Sequence, residues 1–195
     1  MAVGKKGKRT KHKIFTVALK LFREKGFSNV TVDEIVREAG IAKGTFYIYF
    51  PSKGHVIAEI FMEADLMYEE YIKELRHIAS PTEKLRQLLD HLIEMQYEIL
   101  GYDLSVIGYR TQLDEHVEYS MNEDRTIYTY VTSLIREGQE TGEMNRDAAP
   151  EYYARILLRG IRGAIYEWCM SSNNYDFVAD GKTYVGYLLK ILAVH

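Results

Sequence analysis

Cysteine is nearly absent from this chain. Cys169 is the only one among 195 residues, so no internal disulfide can form and a reducing compartment is compatible with the sequence. Prolines number three, and together with helix-type spacing of apolar residues throughout, that scarcity points to an all-α fold. No apolar run approaches the length needed to span a bilayer. The basic start, MAVGKKGKRTKHK, has no hydrophobic segment behind it of the kind a secretory signal carries, so the expected location is cytoplasmic. The six histidines show neither an HExxH pattern nor a Cys-rich spacing; no metal site, cofactor or catalytic residue is expected. Cys169 lies beside Trp168 on an apolar helix with no histidine close in sequence, which reads as a structural thiol rather than a nucleophile. His91, among leucines, reads as a core residue. The cluster Asp114, Glu115, His116 and Glu118 could meet a divalent cation, but neighbouring helix positions point different ways and a solvated face is the better reading.

Charge is present in ordinary amount, 27% of residues beside 47% hydrophobic ones, as in soluble globular proteins. Its distribution is uneven. Residues 1 to 55 hold 12 Lys and Arg against 4 Asp and Glu, a balance of +8, while the remainder holds 13 against 24, or −11. A basic first quarter on an acidic body suits a protein that meets a polyanion end-on. Charge runs are also simply solvated faces, so the asymmetry gains meaning only from what the basic quarter contains.

That quarter contains TVDEIVREAGIAKGTFYIYFPSK, from Thr31 to Lys53. Thr31 and Glu34 form a capping box, and Val30 with Ile35 form a hydrophobic staple that sets how the chain enters the helix. Val32, Ile35, Val36 and Ala39 follow at helical spacing, and Gly40 can take the left-handed conformation that ends a helix. Beyond it, Phe46 and Phe50 sit one turn apart as inner anchors, leaving Lys43, Thr45, Tyr47 and Tyr49 outward. Gly44 removes a side chain near the start of that segment, where a backbone could approach another molecule closely. A helix N-terminus with free amides and a lysine suits phosphate, and the hydroxyls suit groove edges and sugar-phosphate oxygens. Pro51 and Ser52 then end this helix and start the next. The pattern is that of a helix-turn-helix with a recognition helix.

Gly40, a small residue, Lys43-Gly44-Thr45, an aromatic, Tyr47, Tyr49-Phe50 and Ser52-Lys53 together resemble the signature of the TetR family of bacterial transcriptional regulators, over roughly residues 10 to 60. Two positions depart from it: Gly54 stands where the family usually has an acidic residue, and Ala42 where a serine or threonine often caps the recognition helix. Carried over, the resemblance implies that Thr31 bonds a phosphate and that Lys43, Thr45 and the Gly44 backbone lie at the major-groove end of the recognition helix. Tyr47 and Ile48 would face bases or the sugar edge, and Tyr49 and Lys53 would clamp the DNA backbone.

In chain order, the first nine residues are expected to form a basic arm and the first helix to begin near Thr10, with Ile14, Val17, Ala18, Leu21 and Phe22 on one face. A long helix from Lys53 to about His77 would join a DNA-binding domain of residues 1–52 to a helical effector-binding and dimerisation domain of residues 53–195. Helical patterns resume after Ser80-Pro81, break at Gly101, and run again over about 120–136 before a polar loop. The last two helices have wide apolar faces. Ile156, Leu157, Gly160, Ile161, Ala164, Val185, Leu188, Leu189 and Leu192 are candidates for a two-fold four-helix interface, which the resemblance also implies, or for internal packing alone. Tyrosine is abundant, at 16 residues. Met95, Tyr97, Tyr102, Tyr109, Met121, Tyr128, Tyr166 and Trp168 could line a cavity for a small apolar or aromatic effector, or form an ordinary aromatic core. The expected protein is a homodimeric, ligand-responsive repressor on a palindromic DNA operator. A ligand-independent architectural or partner-recruiting DNA-binding protein, and a small helical enzyme with an incidental basic end, are the other classes.

Overall fold

The computed structural model describes residues 5–114 and 122–194. Every regular element among them is helical. In order these are α1 (Lys5–Lys25), α2 (Val32–Ala39), α3 (Lys43–Tyr49), α4 (Lys53–Glu74), α5 (Pro81–Met95), α6 (Gly101–Asp114), α7 (Thr126–Thr141), α8 (Pro150–Met170) and α9 (Phe177–Leu188). The chain divides into two compact units, one of Met1–Met62 with Val106–Ser120, the other of Glu63–Ser105 with Met121–His195. The sequence placed a boundary after residue 52. The two compact units divide α4 at Met62 and α6 at Ser105, so each of these helices contributes to both.

In the first unit, Ile14, Ala18 and Phe22 of α1, Ile35 and Ala39 of α2, Phe46 of α3, and Val56 and Ile57 of α4 are buried around one small core. The helix α1 starts at least as early as Lys5, not near Thr10: lysines and an arginine are good helix formers, and they extend the helix over residues expected to be an arm. Gly40 ends α2 at φ 61°, ψ 43°, with its N–H bonded to Arg37 and Val36 carbonyls, as a left-handed C-cap does. The Ser52 hydroxyl accepts from the His55 N–H at 3.4 Å and opens α4. Gly54 is buried beneath α6: a Cβ there would stand 2.9 Å from Thr111 Oγ1 and 3.2 Å from its methyl. Packing against α6 thus gives a physical reason for glycine at a position where the resemblance implied a carboxylate.

In the second unit, Leu85, Leu88, Leu89 and Ile93 of α5 are buried against α7, α8 and α9. The fit is close at Gly181, where a Cβ would stand 2.7 Å from Ile93. α7 runs on to Thr141, beyond the expected end at residue 136, because Gly142 is the first residue to turn left-handed, at φ 79°. Its start is pinned by Arg125, whose guanidinium donates to Asp65 of α4 at 3.0 Å with both side chains largely buried. Between α5 and α6 the backbone forms a π-helical turn over Gln96–Leu100, which periodicity did not indicate; Gly101 ends it at φ 64°, where a break was expected. Buried Asn145 ties the chain end to the α7–α8 loop, donating to the carbonyls of Ile191 at 2.8 Å and Ala193 at 2.9 Å and accepting from Tyr153 Oη. Its polar atoms are therefore satisfied, as a buried amide requires.

The α4–α6 approach is testable in urea. Gly54→Ala is expected to lower the unfolding free energy by about 1–3 kcal/mol, the usual range for overpacking. Combining it with Thr111→Ala is expected to recover most of that loss as a positive coupling in a double-mutant cycle.

Candidate nucleic-acid interface

A helix of seven residues, α3, gains little from its own hydrogen bonds and is held from beneath. Phe46 and Phe50 are 0% and 1% exposed, with ring centroids 5.8 Å apart. The Tyr47 ring meets Phe46 edge-on at 5.4 Å. With the anchors inward, the helix must present its other positions to water: Ile48 is 77% exposed and Tyr47 49%. Lys43 and Gly44 are exposed, and Thr45 and Tyr49 half-buried. No atom lies within 4 Å of where a Gly44 Cβ would sit, so the side facing that position is open.

The start of α2 supplies the adjoining edge. Thr31 is exposed and caps α2, its hydroxyl accepting from the Glu34 N–H at 3.2 Å. The Glu34 carboxylate is held below its ordinary pKa chiefly by the Lys25 ammonium, with a smaller contribution from the Thr31 backbone N–H that a capping box requires. Asp33, the second residue of α2, pairs with Lys43 at 2.9 Å across the turn and raises the lysine pKa by that hydrogen bond. This link was not read from the sequence, because ten residues separate the partners and only the tight turn brings them together. Lys13 of α1 comes close to the same turn: its Nζ lies 3.9 Å from the Cβ position of Gly40. Thr31, Lys43, Gly44, Thr45, Tyr47, Ile48 and Tyr49 thus belong to two consecutive short helices. Lys53 is partly buried and makes its contacts within this unit, donating to the carbonyls of Phe27 at 2.8 Å and Val30 at 2.9 Å.

The candidate effector residues do not form one set. Trp168 is 0% exposed and stacks on Phe177 at 4.2 Å. Tyr102 meets its ring edge-on at 5.5 Å while donating to the Cys169 carbonyl, and Tyr97 lies 6.0 Å away. Met95 is half-buried near them in sequence. Tyr128, by contrast, is buried with its hydroxyl accepting from Arg162 at 2.8 Å. Tyr166 is 49% exposed, Tyr109 belongs to the other unit, and Met121 lies outside the described residues, as do Glu115, His116 and Glu118. Periodicity could not separate these environments, since tyrosine suits core and surface alike. Burial pushes the Cys169 thiol up to about 11, which keeps it protonated at neutral pH. His91 is half-buried and stacks on Tyr71 at 3.7 Å.

The candidate interface residues divide as well. Leu157, Ile161, Val185 and Leu192 are buried inside their own chain, and Leu188 fills the space over Gly160, 2.7 Å from its Cβ position. These are core positions, because the widest apolar face of α8 is turned to α7 and α9. Ile156, Ala164, Leu188 and Leu189 keep partial exposure.

A three-helix unit with two short helices joined at Gly40, the second presenting exposed side chains beside a lysine, is a helix-turn-helix DNA-binding unit. Residues 14–60 match the model of bacterial regulatory proteins of the tetR family. Over 89% of this chain and 91% of its own length, the fatty acid metabolism regulator protein of Bacillus subtilis (strain 168) is 25% identical. Thermus thermophilus FadR, a solved repressor in complex with lauroyl-CoA, superposes with TM-score 0.77 at 22% identity, covering 95% of this chain and 96% of that one. RolR in complex with resorcinol gives 0.71 at 19% identity, over 97% and 90%. Residues 14–60 thus match the tetR-family DNA-binding region, and the chain is similar along most of its length to a bacterial transcriptional regulator.

Core and surface positions of α3 should separate cleanly on substitution. Phe46→Ala is expected to cost about 3–5 kcal/mol in denaturant unfolding, as for other large core truncations. Tyr47→Ala should cost far less, about 0.5–1.5 kcal/mol for the lost edge contact with Phe46, while changing the duplex sequences that the protein retains.

Proposed function

We propose that the protein is a homodimeric repressor that binds a palindromic operator and is released by a small apolar or aromatic ligand. The observation that carries the DNA-binding part is the exposed face of α3 held on two buried phenylalanines. In this reading the α3 N-terminus and Lys43 meet phosphate near the major groove, Thr31 bonds the flanking backbone, and Thr45 and Tyr49 hydrogen-bond to sugar-phosphate oxygens. Tyr47 reads base edges, and Ile48, an apolar side chain 77% exposed, gains most by burying itself on a thymine methyl. The protein acts in the cytoplasm, where its operator is.

Dimerisation is supported by two stripes on the second unit. Along α8, Tyr152, Ile156, Arg159, Gly163, Tyr166 and Met170 recur at alternating steps of four and three, the spacing of a helix–helix seam; Met170 is 68% exposed and Tyr152 54%. After them Tyr184, Tyr187, Ile191 and Val194 recur at steps of three and four, each at least 37% exposed. Gly163 and Gly186 have open space above them, room for a partner's side chains. These two stripes, the second running from α9 (Tyr184 and Tyr187) through the following 3-10 turn (Ile191) to Val194 beyond it, suit a two-fold interface built on α8 and α9.

The relatives' ligands, a long-chain acyl-CoA and a phenol, frame the effector class. We assign its contacts to Tyr97, within the π turn, and Tyr102, just after it, whose rings both lie beside Trp168. Ligand binding favours a conformer whose two recognition helices no longer match the half-site spacing. A coupling of ~1–3 kcal/mol gives a roughly 5- to 150-fold change in operator affinity. Both α4 and α6 run from one unit into the other and meet at Gly54 and Thr111, which makes them the elements to carry that change.

Selection of bound duplexes from a random pool at fixed salt is expected to yield a palindrome with half-site centres about 34–36 Å apart, and Met170→Glu is expected to give monomers that no longer enrich it. Salt-sensitive binding without a consensus would instead mark an architectural protein. The single tryptophan reports on the effector: titration with lauroyl-CoA or resorcinol is expected to shift Trp168 emission and release the selected duplex, and release without any change in emission would place the ligand elsewhere.

A further inference from the structure

Lys53 is the first residue of α4, and the resemblance put its ammonium on the DNA backbone. Its geometry gives that ammonium other partners. Nζ donates to the carbonyl oxygens of Phe27 at 2.8 Å and Val30 at 2.9 Å and stands 4.3 Å from the centroid of the Phe27 ring. Partial burial pushes its pKa down, while the two carbonyls and the ring face favour the charged form. The bound segment is a single 3-10 turn, Phe27–Asn29, that follows Gly26 at φ 80° and leads directly to Thr31, the cap of α2. The turn is also tied by the Asn29 side chain, which donates to the Lys25 carbonyl at 2.8 Å, by the Asn29 and Val30 N–H groups, which reach the Gly26 and Phe27 carbonyls at 3.2 and 3.3 Å, by buried Val30, and by the Phe27 ring 4.9 Å from Phe22; none of these hydrogen bonds reaches α4. For Lys53 to turn to a phosphate, both carbonyls would lose their charged donor; the Phe27 carbonyl would keep the 3.3 Å bond from the Val30 N–H, while leaving the Val30 carbonyl unsatisfied would cost about 1–3 kcal/mol.

We propose that Lys53 is a positioning residue: it clamps the 27–30 turn to the start of α4, so that Thr31 and the N-terminus of α2 are presented to a backbone phosphate, and it makes no phosphate contact itself. This rests on the DNA-binding reading above. The clamp spans three helices of the unit, joining the end of α1 and the start of α2 to the start of α4. Lysine suits it better than arginine, because a compact ammonium fits between two carbonyl oxygens whereas a planar fork matches phosphate.

The test uses the full-length protein and the duplex selected by the wild type, with affinity measured over a range of salt. Lys53→Met keeps the aliphatic stem over Phe27 and removes the donors. It is expected to weaken binding about tenfold without changing the slope of log K against log salt, whereas Lys43→Met should flatten that slope by about 0.9, the loss of one phosphate contact. Once Thr31→Ala is present, Lys53→Met should cost little more. Lys53→Arg, which keeps the charge if the methionine variant does not fold, is expected to weaken binding as well. A slope flattened by about 0.9 in Lys53→Met, unchanged affinity in that variant, additivity with Thr31→Ala, or wild-type affinity in Lys53→Arg would each overturn the proposal. Failure of the wild type to select any duplex overturns the DNA-binding reading too, and the wild-type arm alone reveals it.

Discussion

Seven residues do not make a stable helix in water. Fixing the first turn costs more backbone entropy than the few hydrogen bonds of α3 return, so its existence depends on the burial of Phe46 and Phe50 in a core supplied by α1, α2 and α4. Most of the first unit follows from this dependence. Thr31 and Gly40 bound α2 so that it ends where the turn must begin, and Gly40 takes the left-handed conformation that a side chain would resist. The same burial explains the exposed isoleucine. A helix anchored by two residues one turn apart has no inward place left for Ile48, which stands 77% exposed.

Electrostatics in this unit are local as well as global. The basic balance of the first quarter draws a polyanion toward it, but individual cations are not interchangeable. Lys43 is held by Asp33 at an exposed edge, where such a pair contributes little to stability and can open to a phosphate. Lys25 neutralises Glu34 at the start of α2. Lys53 is drawn into the turn by two carbonyls. A count of lysines near the recognition helix would treat the three alike; their surroundings give them different work.

The second unit is organised around α5, which α7, α8 and α9 enclose. Its close approach to α9 at Gly181 and the Asn145 clasp at the chain end fix where the last helices lie. Their outward stripes are therefore left over by the core, displaced by a residue or so from the positions that carry the strongest apolar pattern. The π turn after α5 likewise arises where Gln96 reaches Ser105 at 2.8 Å across Gly101, a contact made by residues nine apart.

Much of this was legible in the amino-acid order. The all-α character, the cap at Thr31, the stop at Gly40, the anchors Phe46 and Phe50, and the breaks at Pro51-Ser52 and Gly101 follow from backbone preference and 3.6-residue periodicity, which act within a few residues and so can be read from the chain alone. The helical character of residues 5–9 and the helix end at Thr141 were less legible, because polar residues form helix and loop equally well until a glycine or a contact decides. What tertiary structure alone decided was which apolar face meets which neighbour. Periodicity says that Leu157, Ile161 and Val185 are on an apolar face but not that their own chain covers it. Abundance of tyrosine does not say that Tyr102 touches Trp168 while Tyr166 faces outward. A lysine at position 53 does not reveal that two carbonyls from residues 27 and 30 will claim it. These outcomes depend on contacts between residues distant in sequence, whose geometry exists only once the helices have packed.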